Sequence, residues 1–460
     1  MKAITDPSGA LAAGIAAIRG QFDVPDGFPP EVTAAAERAA RRRPTAHVDR
    51  TATPFVTLDP APSTDLDQAF AIEAAGDDLL LRYAIADVAW FVDDGDPLDA
   101  EAWKRGETLY LPDGRAPLYP PVLSEHAASL LPDAPRPAVV FSVRVAADGA
   151  VRLDGAERAI VRSCAKLAYE TVADGDLPTG FVELARRIHD AEVRRGASRV
   201  DPPEQGVDAV DGGYALAFRE RVVAEDRNAT LSLATNLAVA DALQAAGTGL
   251  FRTMAEPDER AERRLRPTAK AFGVDWPAAE SLADLGRRLD ATDPRQAALM
   301  LAIRRAGGGA DYVPFRAGTV PWHAAMAATY CHATAPLRRL ADRYVVRAAL
   351  AVANGDGVPA AVTEAFARLP EVMNRADARA GSIERAVVDL AEAVVLHGQE
   401  GRSFDAVVTD VDERGARVQL AELAVVGRVA AHGVQPGDAL RVRLEVADPA
   451  ARRVELLRVG

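Results

Sequence analysis

At 460 residues the chain is too long for one ordinary hydrophobic core, and roughly 2–4 domains are expected. Hydrophobic residues make up 49% and charged residues 26%, which excludes a disordered or fibrous chain, and no apolar stretch is long enough to cross a bilayer. Two cysteines, Cys164 and Cys331, exclude a disulfide framework and a Cys-rich zinc site, so a cytoplasmic address is expected. The formal net charge of −13 argues against loose, sequence-blind coating of nucleic acid. It leaves room for a basic channel inside an acidic exterior.

In chain order, residues 1–50 read as helical, and their alanine-rich start is interrupted too early for a signal peptide. EVTAAAERAARRR (31–43) has no Gly or Pro and ends on Arg41, Arg42 and Arg43. Cations at the C-terminal end of a solvated helix explain that run; a nucleic-acid contact is the alternative. PFVTLDP is a short β run, and LLLRYAIADVAWFV (79–92) has the β-branched and aromatic content of a buried strand. VVFSVRVAADGAVRL (139–153) predicts two strands joined by a turn at Asp148–Gly149. Long helices are expected from about residue 215 to 400. The last 60 residues alternate short strands with Gly and Asp turns, the grammar of a small OB-type barrel. The expected fold is α+β: a helical segment over 1–50, a mixed body over 51–400, and a β-barrel over 401–460.

Three constellations carry candidate chemistry. In Asp59-Pro-Ala-Pro-Ser-Thr-Asp65-Leu-Asp67-Gln68, three carboxylates fall within nine residues. An extended Asp65–Asp67 puts those two side chains on one face, and such hard oxygens suit magnesium. Asp and Pro also make ordinary surface turns. The apolar flanks FVTL and AFAI tip the balance, because they set the carboxylates beside a buried sheet where unpaired charge is costly. In Tyr330-Cys-His332-Ala-Thr334-Ala-Pro336-Leu-Arg338-Arg339-Leu-Ala-Asp342, Pro336 predicts the first turn of a helix. Arg338 and Arg339 in its opening turns would hold a phosphate, although an Arg–Asp pair on a solvated face accounts for either arginine alone. Ile383-Glu384-Arg385 lies on a long helix and, on its residues alone, carries no function.

Taken together and in this order, these segments resemble the catalytic domain of the ribonuclease II / ribonuclease R family, the RNB domain. The resemblance runs from PFVTLDPAPSTDLDQAF through YAIADVAWFV, GETLYLPDGRAPLYPP, ATAPLRRLADRY and IERAVVDL to the terminal barrel, about residues 50–460. It implies a 3′→5′ exoribonuclease that hydrolyses single-stranded RNA to nucleoside 5′-monophosphates, working as a monomer in the cytoplasm without a membrane. It implies one or two Mg2+ ions, replaceable by Mn2+, at Asp59, Asp65, Asp67 and Gln68, with Asp67 the most important for chemistry. By the same resemblance Tyr110 packs near the RNA 3′ end, Arg338 grips the phosphate of the scissile bond, and Glu384 lies by the 3′ nucleotide.

Two departures from the family pattern stand out. Gln68 occupies a position where the typical motif has an aspartate, which bears on the number of metals. The N-terminal 50 residues are helical where typical members carry cold-shock domains, so RNA entry would be guided differently. Gln68 also motivates a second reading, an RNA-binding protein whose active site has decayed. A phosphatase of the haloacid dehalogenase type fits poorly, because Ala69 stands where its nucleophile loop needs Thr or Val.

Overall fold

The computed structural model describes residue 4 and residues 9–459, apart from 133, 199, 211–212, 220, 413 and 432. Part of the expected N-terminal helical segment therefore lies outside the described residues. Within it, helices span Ala10–Gln21 and Pro30–Ala40. Pro30 opens the second helix with its fixed φ and no wasted donor, and Glu31 sits in the first turn where the dipole favours it. That helix stops at Ala40, so the basic run follows it: Arg41 is the C-cap, and Arg42 pairs with Asp93 and the Trp90 carbonyl. The segment is not wholly helical either, because Val48–Asp49 adds a parallel edge to the main sheet.

The body is built on a seven-stranded sheet. Its order is Val48–Asp49, Val151–Val161, Arg136–Val145, Asp78–Ala86, Gln68–Ala75, Phe55–Asp59 and Ser163–Ala168. Neighbours are antiparallel except at the two edges, where Val48–Asp49 and Ser163–Ala168 pair in parallel. The predicted turn at Asp148–Gly149 is present, with Gly149 at φ 75°. A Cβ there would fall 2.1 Å from the Arg187 carbonyl oxygen, so only glycine fits. Phe55, Phe70, Tyr83 and Phe141 fill the sheet's core. The stretch read as one strand over 79–92 divides: the strand ends at Ala86, and Val88–Phe91 is a helical turn. At its end the Ala86 amide donates to the Asp67 carbonyl, continuing the register of Gln68 with Ile85.

Helices Val223–Ala245, Leu340–Ala353 and Ala360–Leu396 join this sheet to the rest of the molecule. The region read as helical from 215 to 400 also holds strands. Gly213–Arg219 pairs with Glu204–Val210 as a hairpin, and a four-stranded sheet contains Leu250–Met254 and Ala310–Pro314. At the C-terminus Ser403–Asp412, Gly415–Leu420, Val426–Val429, Ala439–Asp448 and Arg453–Arg458 close a five-stranded barrel. Alternate residues such as Phe404, Ala406 and Val408 turn inward, the period-2 pattern of a strand. Barrel and body share a core through Leu390, Val394 and Leu396 of the long helix. The α+β class and terminal barrel are as expected.

Candidate active site

The carboxylate segment connects two strands of the main sheet. Phe55–Asp59 ends at Asp59 and the next strand starts at Gln68. Between them Leu66 is buried, so Asp65 and Asp67, one residue to either side, face the other way. The backbone is tied down locally. Leu66 N–H donates to Ser129 Oγ at 2.9 Å, and Ser129 donates to the Thr64 carbonyl at 2.7 Å. Asp59, Asp65, Asp67 and Gln68 border one cavity of about 620 Å3, together with Tyr110, Arg115 and Arg338.

Asp67 is only 7% exposed. Its Oδ1 accepts the Leu337 amide at 2.7 Å, and its Oδ2 lies 3.6 Å from Arg338 Nε. Burial pushes its carboxyl up to about 8 against the opposing pull of Arg338. Burial likewise pushes Asp59 up to about 7, with Arg338 again opposing and Asp65 adding to the rise. Asp65 is drawn aside into an ion pair with Arg115 and accepts from the Tyr110 hydroxyl at 3.3 Å.

The expected four-donor metal set is not assembled as the side chains stand. Among the described residues no group of three or more Asp, Glu, His or Cys is placed to hold an ion. Gln68, expected among the donors, is engaged at both ends of its amide. Tyr83 donates to its oxygen at 2.8 Å, and its nitrogen donates to the Thr334 carbonyl at 2.6 Å. The donor chemistry that remains does fit a hard divalent cation. Asp59 is half-buried and Asp67 buried, both with too little positive charge beside them, and Asp65 can join them by leaving Arg115.

The arginine segment differs from its sequence reading. The helix begins at Leu340, not at Pro336, so Arg338 and Arg339 precede it and Arg339 is the N-cap. The reason is Asp342. Its buried carboxylate reaches back to accept the Thr334 amide at 3.0 Å and the Ala335 amide at 2.8 Å, folding 334–339 into a loop over the first turn. The loop is pinned from the other side by Thr108 N–H to the Arg338 carbonyl and Leu340 N–H to the Gly106 carbonyl. Arg339, expected to bind substrate, spends its guanidinium on Asp342 through two 2.9 Å bonds. Arg338 remains 48% exposed and faces the cavity.

Tyr110, on Leu109–Leu111, is 56% exposed where this cavity meets a second of about 680 Å3. Arg219, Arg338 and Arg339 line both chambers, while Glu384 lines the second and not the first. A third hollow of about 600 Å3 continues past Glu384 towards the barrel, bordered by Arg304, Arg385 and Arg417. Shared walls, Tyr110 and Arg338 between the first two and Glu204 and Glu384 between the last two, run the three together as one groove. Sequence reasoning missed Arg115, Arg219, His332 and the hairpin wall at 204–210. The only available signal was that Arg115 follows an Asp–Gly turn.

A family model described as RNB domain matches residues 47–354, and one described as RNase II-type exonuclease C-terminal S1 domain matches residues 402–459. The chain is 31% identical over 412 residues to Exoribonuclease 2 of Cronobacter sakazakii, covering 83% of this chain and 62% of that protein. It is 26% identical over 461 residues to Ribonuclease R of Thermotoga maritima, covering 93% of this chain and 64% of that protein. The chain thus spans a little under two thirds of the length of these curated relatives. Among solved structures, Mycoplasma genitalium RNase R in complex with ribose-methylated single-stranded RNA aligns with a TM-score of 0.85 at 19% identity, over 98% of this chain and 78% of that one. Yeast Ssd1, a pseudonuclease, aligns with a TM-score of 0.69 at 18% identity, over 98% of this chain and 58% of that one. The fold alone therefore accommodates both outcomes.

Proposed function

This chain belongs to the RNB-domain family, and on that premise we propose that it is a 3′→5′ exoribonuclease releasing nucleoside 5′-monophosphates from single-stranded RNA. The observation that carries the reading is Asp67: a buried carboxylate, short of donors, beside the half-exposed guanidinium of Arg338 in a groove. Asp59, Asp65 and Asp67 would hold magnesium, one ion or two, with manganese able to substitute. Such an ion supplies positive charge for the reacting phosphate and acidifies water. Gln68, in this reading, orients the segment by tying it to Thr334 and Tyr83.

Arg338 would neutralise the charge that builds on phosphorus in the transition state. Tyr110 offers a ring on which a base stacks without being read, and Glu384 would lie by the sugar of the 3′ nucleotide. Arg339 acts through Asp342, holding the loop that aims Arg338. All these groups come from one chain, so a monomer suffices. RNA is the partner, and the cytoplasm its place of work. No helix among the described residues is long and apolar enough to cross a membrane.

Gln68 favours one other reading, an RNA-binding protein that no longer cleaves, in the manner of the pseudonuclease neighbour. Digestion of 3′-overhang hairpins and of end-labelled single-stranded RNA and DNA separates the two. An active enzyme releases mononucleotides from RNA only and stops when magnesium is chelated. Tight, magnesium-insensitive RNA binding without mononucleotide release would favour the decayed reading.

A further inference from the structure

Beyond Arg338 the groove wall carries His332, a group to which the reading above gives no task. Its ring is wedged edge-on between Tyr312 and Tyr330, with centroids 5.7 and 5.5 Å away and planes at 74° and 87°. Its Nδ1 lies 2.8 Å from the Tyr312 hydroxyl. Among the described residues no group bonds Nε2, and the side chain lines the same chamber as Arg338 and Glu384. The residues on either side are tied to Asn236: Cys331 Sγ donates to its carbonyl, and its Oδ1 accepts the Ala333 amide at 2.9 Å. The imidazole is a rigidly presented group, unlike a mobile surface histidine.

Its surroundings decide which nitrogen carries the proton. Burial, then the guanidinium groups of Arg339, Arg252 and Arg338, hold the ring well below the usual histidine range, so it is neutral. Burial raises Tyr312, whose hydroxyl therefore keeps its proton. Arg252 lies 4.3 Å over the Tyr312 ring. A phenol in that positive field donates more readily than it accepts, so its O–H points at Nδ1 and the imidazole proton sits on Nε2.

We propose that His332 is a substrate-contacting residue whose Nε2–H donates to a backbone oxygen, phosphate or ribose, of the nucleotide adjoining the phosphate held by Arg338. This inference rests on the groove being the RNA path. A neutral donor on a rigid mount fixes the register of the strand without adding to the charge that retains it.

The test measures binding of a short single-stranded RNA to the full chain carrying Asp67→Asn, so that no turnover is needed. Adding His332→Phe, which keeps the ring's bulk and loses the donor, is expected to weaken binding about 10-fold. His332→Gln recovers part of the loss, and Tyr312→Phe, which frees the tautomer, loses less. Oligonucleotides with one methylphosphonate or one 2′-deoxy sugar near the 3′ end locate the acceptor. The modification that penalises the His332 protein but not His332→Phe names the oxygen, phosphate in one arm and ribose in the other. A purely structural role would not produce that selectivity. Unchanged affinity of a folded His332→Phe, or equal penalties for both proteins at every modification, overturns the proposal. Absence of RNA binding even with His332 present would overturn the reading of the groove itself.

Discussion

Asp67 and Asp342 are both buried carboxylates that accept amides of the 334–339 loop, and the protein treats them in opposite ways. Asp342 is fully buried and accepts two backbone amides and both arms of the Arg339 guanidinium. Asp67 receives one amide and a guanidinium no nearer than 3.6 Å. A buried charge costs several kcal/mol unless paired and hydrogen-bonded. Asp342 has been compensated from within the fold and is structural. Asp67 has been left short, and its carboxyl is pushed up to about 8 by burial as a result. Buried acids that the protein itself does not satisfy are candidates for chemistry.

Substitutions at the two positions should separate the roles. Asp67→Asn is expected to lower mononucleotide release by at least about 10³-fold while RNA binding persists, because the amide keeps the shape and loses the charge. Near-normal turnover would remove Asp67 from the site. Asp342→Ala should instead cost about 3–5 kcal/mol in denaturant unfolding, since it strands Arg339 and two amides. Arg338→Ala, which breaks no compensated pair, should lose about 10²-fold in turnover with an unfolding midpoint close to that of the native chain. A large loss of stability there would mean that Arg338 is structural too.

Smaller effects are expected where a polar group links elements. Gln68→Ala removes the acceptor of Tyr83 and the donor to Thr334, at about 1–3 kcal/mol in chemical denaturation. An unchanged midpoint would leave the amide free for another role. Glu392 offers a pH-dependent case. Its Oε1 accepts Gln205 Nε2 at 2.6 Å and the Val426 amide at 2.7 Å, tying hairpin, long helix and barrel together. Burial raises its carboxyl from 4.5 to about 7. A raised acid holds its proton in the folded state after the unfolded chain has lost it, so stability falls as pH rises from about 4.5 to about 7. Comparing thermal midpoints at acid and at neutral-to-basic pH, the native chain should lose about 1–2 kcal/mol more than Glu392→Gln across that window. Parallel curves for the two proteins would show that Glu392 does not titrate there.

Much of the fold was legible in the sequence. β-branched and aromatic runs give strands of the sheet, closely spaced Gly and Asp turns give the barrel, and the Asp148–Gly149 turn is local. The carboxylates were legible because the apolar flanks FVTL and AFAI are pulled into the core, with Phe55, Leu58, Ala69 and Phe70 buried. What escaped depends on contacts distant in the chain. The helix start moved from Pro336 to Leu340 because a side chain in the first helical turn, Asp342, captures the amides that precede it. The commitment of Gln68 to Thr334 spans 266 positions. The pull of Arg115 on Asp65 spans 50 positions, and a local motif shows neither.

The comparison between the two aspartates is tested most directly by the unfolding midpoint of Asp67→Asn at pH 8 without divalent cations. If Asp67 is a charge held at the fold's expense, the amide removes a penalty, and the variant unfolds at or above the midpoint of the native chain. A fall comparable to that of Asp342→Ala would contradict the account, for Asp67 would then be a second structural carboxylate.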